Sequence, residues 1–369
     1  MGRTIGIELA ERRYDIHIAA GARERAGELI APHHGGGPML VVSDDTVAGL
    51  YAAAFCADLR RTGARVELAT FPAGEPHKHL DTCRALWTAC AEAAVDRSGT
   101  IIALGGGVVG DIAGFVAATW MRGVRFVQVP TTLLAMVDSS VGGKTGINSA
   151  AGKNLIGAFW QPGFVLIDPG FLTTMEARDY RAGLAEVVKY GVIREPDFFS
   201  WQEEHAAALL ERDPATLAHA VACSCECKAR YVIDDEREGG VRAHLNYGHT
   251  FGHALERETG YATYRHGEAV AIGMHMAAHC AAAAGLLEDE ALLERQRALL
   301  ERLALPLVHP STDPATLERL IANCGLDKKV RAGAVRFVLP RAMGQVEVHA
   351  DVDPAAIRQG FAAGLAVSL

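Results

Sequence analysis

A carboxylate, an ammonium group and three imidazoles recur in this chain at spacings that could build one metal-centred site. In AEVVKYG, Glu186 and Lys189 are three residues apart, so on a helix they point from the same face. His249 and His253 in NYGHTFGHALE are four apart and likewise share a face, and RHGEAV adds His266 seventeen residues after His249. Two imidazoles and one carboxylate leave positions open on a divalent ion, which is how catalytic rather than structural metals are held. In a chain with 15 histidines, a pair at this spacing is more often packing than ligation. Spacing alone does not choose among His249, His253 and His266.

A second group is built from glycine. Gly105-Gly106-Gly107-Val108-Val109-Gly110-Asp111 follows the apolar run TIIAL and satisfies GxGxxG at 105, 107 and 110. Such a loop lets backbone amides approach a diphosphate at the positive end of a helix. The same glycines would also serve a plain tight turn. The next strand ends in Gln128 without the acid that usually holds a ribose about twenty residues on, and acids that could reach one lie instead at Asp44 and Glu75. Between Pro130 and Asn154, Thr131, Thr132, Asp138, Ser139, Ser140, Lys144, Lys153 and Asn154 crowd donors among glycines. That density suits a concave polar site, and ammonium groups on short glycine-flanked loops suit phosphate or carboxylate.

These groups need scaffolds. Short β-branched runs, MLVVS at 39–43, VELAT at 66–70, TIIAL at 100–104, FVQVP at 126–130 and FVLID at 164–168, alternate with helix-like stretches. This predicts an α/β N-terminal domain, 1–175, with a Rossmann-like parallel sheet. From Glu176 the Ala/Leu/Glu-rich segments 203–233, 250–258 and 267–304 carry helical periodicity, predicting a mostly α-helical C-terminal domain, 176–369. VRFVLP at 335–340 and GQVEVHA at 344–350 read as a hairpin.

Composition excludes several classes. The formal charge of −8 argues against a general nucleic-acid or membrane-surface binder, and any anion the chain binds should be small and held locally. Eight cysteines without a CxxC pair, and no signal-peptide profile at the N-terminus, predict reduced thiols in the cytoplasm. Cys223, Cys225 and Cys227 alternate faces on a helix and read as ordinary thiols. The apolar stretches 101–120 and 269–287 read as strand, loop and helix start, and as a buried helix, rather than as membrane spans.

Six blocks, GGGVVGDIAGFVAATWMRG, VPTTLLAMVDSSVGGKTGIN, GKNLIGAF, AEVVKYG, LNYGHTFGHA and RHGEAVAIGM, occur in the order of the 3-dehydroquinate synthase family, which the chain resembles over about residues 40 to 330. Ser149 departs from the pattern, since bacterial members usually carry histidine after Gly-Ile-Asn. The resemblance implies a dehydroquinate synthase-like fold, a homodimer, NAD, and a divalent metal, zinc or cobalt, on Glu186, His249 and His266. It assigns to NAD Asp44, the run Ala73, Gly74, Glu75, Pro76, His77 and Lys78, the run Gly107, Val108, Val109, Gly110 and Asp111, then Thr131, Thr132, Lys144, Lys153, and Phe171, Leu172, Thr173 and Thr174. Substrate contacts carried over are Arg122, Asp138, Lys144, Asn154, Lys189, Lys228, Arg242, Asn246, His253 and one of Lys328 and Lys329. Taken singly, Lys228 or Arg242 would otherwise read as a solvated surface charge.

The reaction so implied belongs to the shikimate pathway of aromatic amino acid biosynthesis. It converts 3-deoxy-D-arabino-heptulosonate 7-phosphate to 3-dehydroquinate through transient oxidation, β-elimination of phosphate, reduction, ring opening and aldol closure. The rivals are another sugar-phosphate cyclase, of the 2-deoxy-scyllo-inosose or 2-epi-5-epi-valiolone type, and a metal-dependent polyol dehydrogenase. Arg242, Asn246, His253 and the Lys328–Lys329 pair favour a substrate that carries a carboxylate.

Overall fold

The computed structural model describes residues 2–10, 12–311, 313–326 and 335–367. Its strands are β1 Arg3–Leu9, β2 Arg12–Ile18, β3 Met39–Asp44, β4 Val66–Phe71, β5 Thr100–Gly105, β6 Arg125–Pro130, β7 Lys144–Ser149, β8 Gly152–Phe159, β9 Phe164–Ile167, β10 His309–Ser311, β11 Phe337–Ala342, β12 Gln345–His349 and β13 Leu365–Val367. Its helices are α1 Ala26–Ile30, α2 Asp45–Val47, α3 Ala53–Arg60, α4 Leu80–Glu92, α5 Gly107–Thr119, α6 Ala177–Ile193, α7 Pro196–Leu210, α8 Pro214–Asp234, α9 His249–Glu258, α10 His266–Ala283, α11 Ala291–Arg302, α12 Thr316–Leu326 and α13 Pro354–Ala363.

The chain forms two compact units, Met1–Met175 with Leu217–Arg237, and Glu176–Thr216 with Glu238–Leu369. The first is built on a seven-stranded sheet ordered β1-β2-β9-β6-β5-β3-β4. All its pairings are parallel except β1 with β2 at the edge. β5 and β9 are buried at every residue and β3 at all but its last, because helices cover both faces of a parallel sheet, and their apolar runs are therefore continuous. β1 alternates instead. Leu40, Ile101, Leu86, Ile112 and Phe115 meet in the core between the sheet and its helices.

The register sets the loops. Gly105 pairs with Pro130, and Thr131 N donates to Gly105 O at 3.0 Å, so Gly106–Gly107 and Thr131–Thr132 emerge side by side. Asp44 pairs with Phe71 at the end of β3 and β4. Four predicted cofactor segments thus leave the carboxyl ends of adjacent parallel strands, the edge at which open α/β sheets bind ligands.

Two regions differ from the sequence expectation. Residues 130–154, read from sequence as a concave polar site without assigned elements, hold a helical turn at Ala135–Ser139 and lead into the antiparallel β7–β8 hairpin. β8 is exposed or half-exposed throughout, so no alternation of apolar residues marks it. Ser149 closes that turn, its Oγ accepting from Ala151 N at 3.2 Å. The helical stretch 217–237, expected in the second domain, belongs to the first unit. Periodicity identifies a helix but not its neighbour: Cys225 Sγ donates to Met136 O, and Lys228 Nζ reaches Asp138.

The second unit is mostly helical, with small sheets β10-β13 and β11-β12, the latter being the expected hairpin. α10 buries 13 of its 18 residues, which explains the apolar stretch beginning at Ala269. Among the described residues, no helix is long and apolar enough to cross a membrane.

Candidate active site

In the second unit, α6 carries Glu186, and α9 and α10 begin at His249 and His266. Close helix packing brings the three together. A Cβ on Gly267 would lie 1.8 Å from Ala182 O, and one on Gly273 would lie 2.0 Å from Gly248 O. Only glycine lets α10 sit this close to α6 and to the start of α9. Arg178 of α6 donates twice to the Glu268 carboxylate at 2.7 Å, and Glu268 also accepts from Arg265 N at 2.9 Å. That ion pair fixes the first turn of α10, where His266 sits.

Glu186 is 0% exposed, and among the described residues the Lys189 ammonium is the one donor in direct contact with its carboxylate. The Lys189 ammonium lies against Oε2, while His249 Nε2 and His266 Nε2 stand 3.6 and 3.8 Å from Oε1. A buried carboxylate faced by two nitrogens just beyond hydrogen-bonding range is a chemical fit for a divalent cation. His249 Nδ1 faces the Tyr247 carbonyl at 3.1 Å. Tyr247 is itself anchored, its hydroxyl donating to Gln296 Oε1 at 2.7 Å. Burial first, then the Lys189 ammonium and the neighbouring imidazoles, hold His249 well below the ordinary histidine range, so the ring is neutral and able to ligate.

Among the described residues, two sets of three donors have ligand atoms within 4.8 Å of one another: Glu186, His249 and His266, and His253, Glu256 and His266. The first better fits an ion, because Glu256 Oε1 is already engaged by His266 Nδ1 at 3.3 Å. His253 is exposed, with Nε2 4.0 Å from Glu256 Oε2. Arg242, 1% exposed, and Asn246 lie on the turn Val241–Asn246 before α9, and Asn246 Nδ2 donates to Glu238 Oε1 at 3.1 Å. Lys328 and Lys329 lie outside the described residues.

In the first unit, α5 starts at Gly107 with no capping side chain and no acid in its first turn, which suits a diphosphate. A Cβ on Gly110 would stand 2.7 Å from Gln128 Oε1, so a larger residue here would require the Gln128 side chain on β6 to move. Thr131 Oγ1 is buried with no hydrogen-bond partner, a polar group available to a ligand. Lys78 is buried and donates to Asp111 Oδ2 and Asn154 Oδ1, both at 2.5 Å. Burial pushes the Asp111 carboxyl above its ordinary value, against the pull of Lys78. Glu75 Oε1 accepts from Asn148 Nδ2 at 2.7 Å. Asp44 caps α2 through Val47 N at 2.9 Å.

Phe171 and Leu172 are core side chains, so toward a ligand that segment offers its backbone and the hydroxyls of Thr173 and Thr174. Lys144 and Lys153 are exposed on the β7–β8 hairpin. Lys228, 5% exposed, donates to Asp138 O at 2.5 Å and to Asp138 Oδ1 at 2.6 Å. Neither Lys228 nor Arg242 is a solvated surface charge. Arg122 is exposed on a turn in which Met121, Arg122 and Gly123 all have positive φ, a strained projection for two non-glycine residues.

Glu256, Tyr247 and the helix-packing roles of Gly267 and Gly273 were not anticipated from sequence. Glu256 had a signal. It lies seven residues after His249 and three after His253, on one helical face.

Comparison with known proteins follows this geometry. The family models described as 3-dehydroquinate synthase N-terminal and C-terminal match residues 68–182 and 183–330. A 3-dehydroquinate synthase of Halorhodospira halophila is 52% identical over 355 residues, covering 96% of this chain and 98% of that protein. A 2-deoxy-scyllo-inosose synthase solved with carbaglucose-6-phosphate, NAD+ and Co2+ superposes with a TM-score of 0.88 at 26% identity, covering 98% of this chain and 100% of that one. The 2-epi-5-epi-valiolone synthase of Streptomyces hygroscopicus, solved with NAD+ and Zn2+, gives a TM-score of 0.86 at 30% identity, covering 96% and 97%.

Proposed function

We propose that this chain, which belongs to the 3-dehydroquinate synthase family, converts 3-deoxy-D-arabino-heptulosonate 7-phosphate to 3-dehydroquinate and phosphate as an NAD- and divalent-metal-dependent carbon–oxygen lyase. The observation that carries the reading is the buried Glu186 carboxylate, whose Oε2 meets the Lys189 ammonium and whose Oε1, without a hydrogen-bond donor among the described residues, is faced by His249 Nε2 and His266 Nε2. These three residues hold the ion, zinc or cobalt, since both accept two imidazoles and a carboxylate. When bound, NAD supplies a hydride acceptor restored within each turnover, and the ion supplies Lewis acidity toward neighbouring substrate hydroxyls.

The chain's own residues bind and orient. The start of α5, with Thr131, Thr132, Lys144, Lys153 and the 73–78 and 171–174 segments, takes the dinucleotide, and Asp44 lies near its ribose. Lys144, Asn154, Lys189 and His253 hold the substrate phosphate and orient it for elimination, where the departing phosphate itself takes up the adjacent proton. Asp138 is held by Lys228 and so presents a fixed carboxylate to the substrate. Arg242 and Asn246, with one of Lys328 and Lys329, take the substrate carboxylate. Domain 1–175 is thus the NAD-binding part, joined by 217–237, and the remainder carries the metal and the carboxylate contacts. We read the protein as a cytoplasmic homodimer in which Arg122 reaches the partner's substrate phosphate. Exposed Met121, Leu155, Ile156 and Phe159 support an apolar association surface, and eight free thiols support a reducing compartment.

The test is release of inorganic phosphate from the heptulosonate phosphate with trace NAD and a divalent metal. A hexose 6-phosphate, which lacks the carboxylate, should release none. Phosphate from the hexose ester alone would move the chain to another sugar-phosphate cyclase.

A further inference from the structure

We propose that Glu256 is a positioning residue for the metal centre: its buried carboxylate fixes the tautomer of His266 and aims that ring's Nε2 at the ion. The inference rests on the reading of Glu186, His249 and His266 as the ligands. A neutral imidazole has one N–H and one lone pair, and the partner of one nitrogen decides where the other's lone pair points. His266 Nδ1 lies 3.3 Å from Glu256 Oε1, and its Nε2 faces Glu186 Oε1 at 3.8 Å. A carboxylate can only accept, so the proton stands on Nδ1 and the lone pair on Nε2. His249 repeats the arrangement with a different acceptor, its Nδ1 toward the Tyr247 carbonyl and its Nε2 toward Glu186 Oε1.

The two acceptors are not equivalent. A carbonyl orients a ring, whereas a carboxylate also adds negative charge and makes the ring a stronger donor to a cation. Glu256 is 8% exposed, so water screens that charge little. Its second oxygen stands 4.0 Å from His253 Nε2, which ties the metal ligand to an imidazole assigned to substrate. One face of α9 therefore carries a ligand, a substrate contact and the group that orders the second ligand, at 249, 253 and 256.

Metal-free protein is titrated with zinc and with cobalt against a competing chelator, and the visible spectrum of the cobalt form is recorded. Glu256→Gln keeps the size of the side chain and removes its charge, and Glu256→Ala removes the acceptor as well. The expected result is one ion per chain in all forms, affinity weakened about 10–100-fold in Glu256→Gln and further in Glu256→Ala, and an altered cobalt spectrum, with the metal-free variants melting as the wild type does. Should Glu256→Ala fail to fold, Glu256→Gln alone decides the matter. Wild-type affinity and spectrum in Glu256→Gln overturn the proposal. So do two ions per wild-type chain with one lost in Glu256→Gln, because Glu256 is then itself a ligand. Glu186→Gln is the control for the underlying reading: if it binds metal as the wild type does, the ligand set is wrong whatever Glu256 does.

Discussion

The Glu186 carboxylate is fully buried, and among the described residues only Lys189 stands against it as an ordinary charged partner. A buried charge so sparsely satisfied is costly unless a cation completes it. Replacing it by glutamine preserves volume and removes the charge. Glu186→Gln is expected to lose retained metal after dialysis, with affinity down more than the roughly 10–100-fold typical of a residue behind the ligands, while circular dichroism is unchanged. Full metal content by elemental analysis would remove Glu186 from the ligand set. Lys228 makes the complementary point: this buried cation is already satisfied within the chain, where it donates to the carboxylate and the carbonyl of Asp138.

At the scale of elements, α10 joins His266, the proposed metal ligand at its first residue, to a packed interior. Gly267 and Gly273 let it lie against α6 and α9, and the same packing buries His275 in its middle. Burial, with lesser contributions from His279 and Arg297, lowers the His275 pKa to about 4. The folded state therefore favours the neutral ring. This contribution is whole above the unfolded value of 6.5, falls as pH drops through the window from 6.5 to about 4, and changes no further below it. At pH 5 the loss is about 1–2 kcal/mol. Thermal melts at pH 7 and pH 5 should show a larger drop for the wild type than for His275→Gln. Equal drops would mean that other groups set the acid limit.

For the whole molecule, the proposed reaction is redox-neutral, so hydride taken from the substrate must return before product leaves. Substrate deuterated at C5 should give dehydroquinate that keeps the label, with NAD present only in stoichiometry with enzyme. Mass spectrometry of the product and absorbance of NADH check this. One NADH per turnover, or label lost to added NAD, is the outcome of a polyol dehydrogenase.

The five strands read from apolar runs stand within a residue of their expected bounds; in β3, β5, β6 and β9 this follows because a parallel strand buried on both faces writes its length directly into composition, whereas β4 is an edge strand. The glycine loop and the candidate group of Glu186, His249, His253 and His266 were legible because residue type limits what chemistry is available, and ordered motifs identify the family. Spacing could not choose among the three histidines. That choice depends on which ring nitrogen faces Glu186 across helices brought together by Gly267 and Gly273, contacts made between residues distant in sequence. The same holds for Glu256, whose helical face was readable but whose partner, His266, lies on another helix. It holds too for 217–237, a helix by periodicity that joins the first unit because Lys228 and Cys225 find acceptors at Asp138 and Met136. Local sequence determined elements and chemical inventory; burial and hydrogen-bond pairing, which are properties of the packed chain, decided which groups act together.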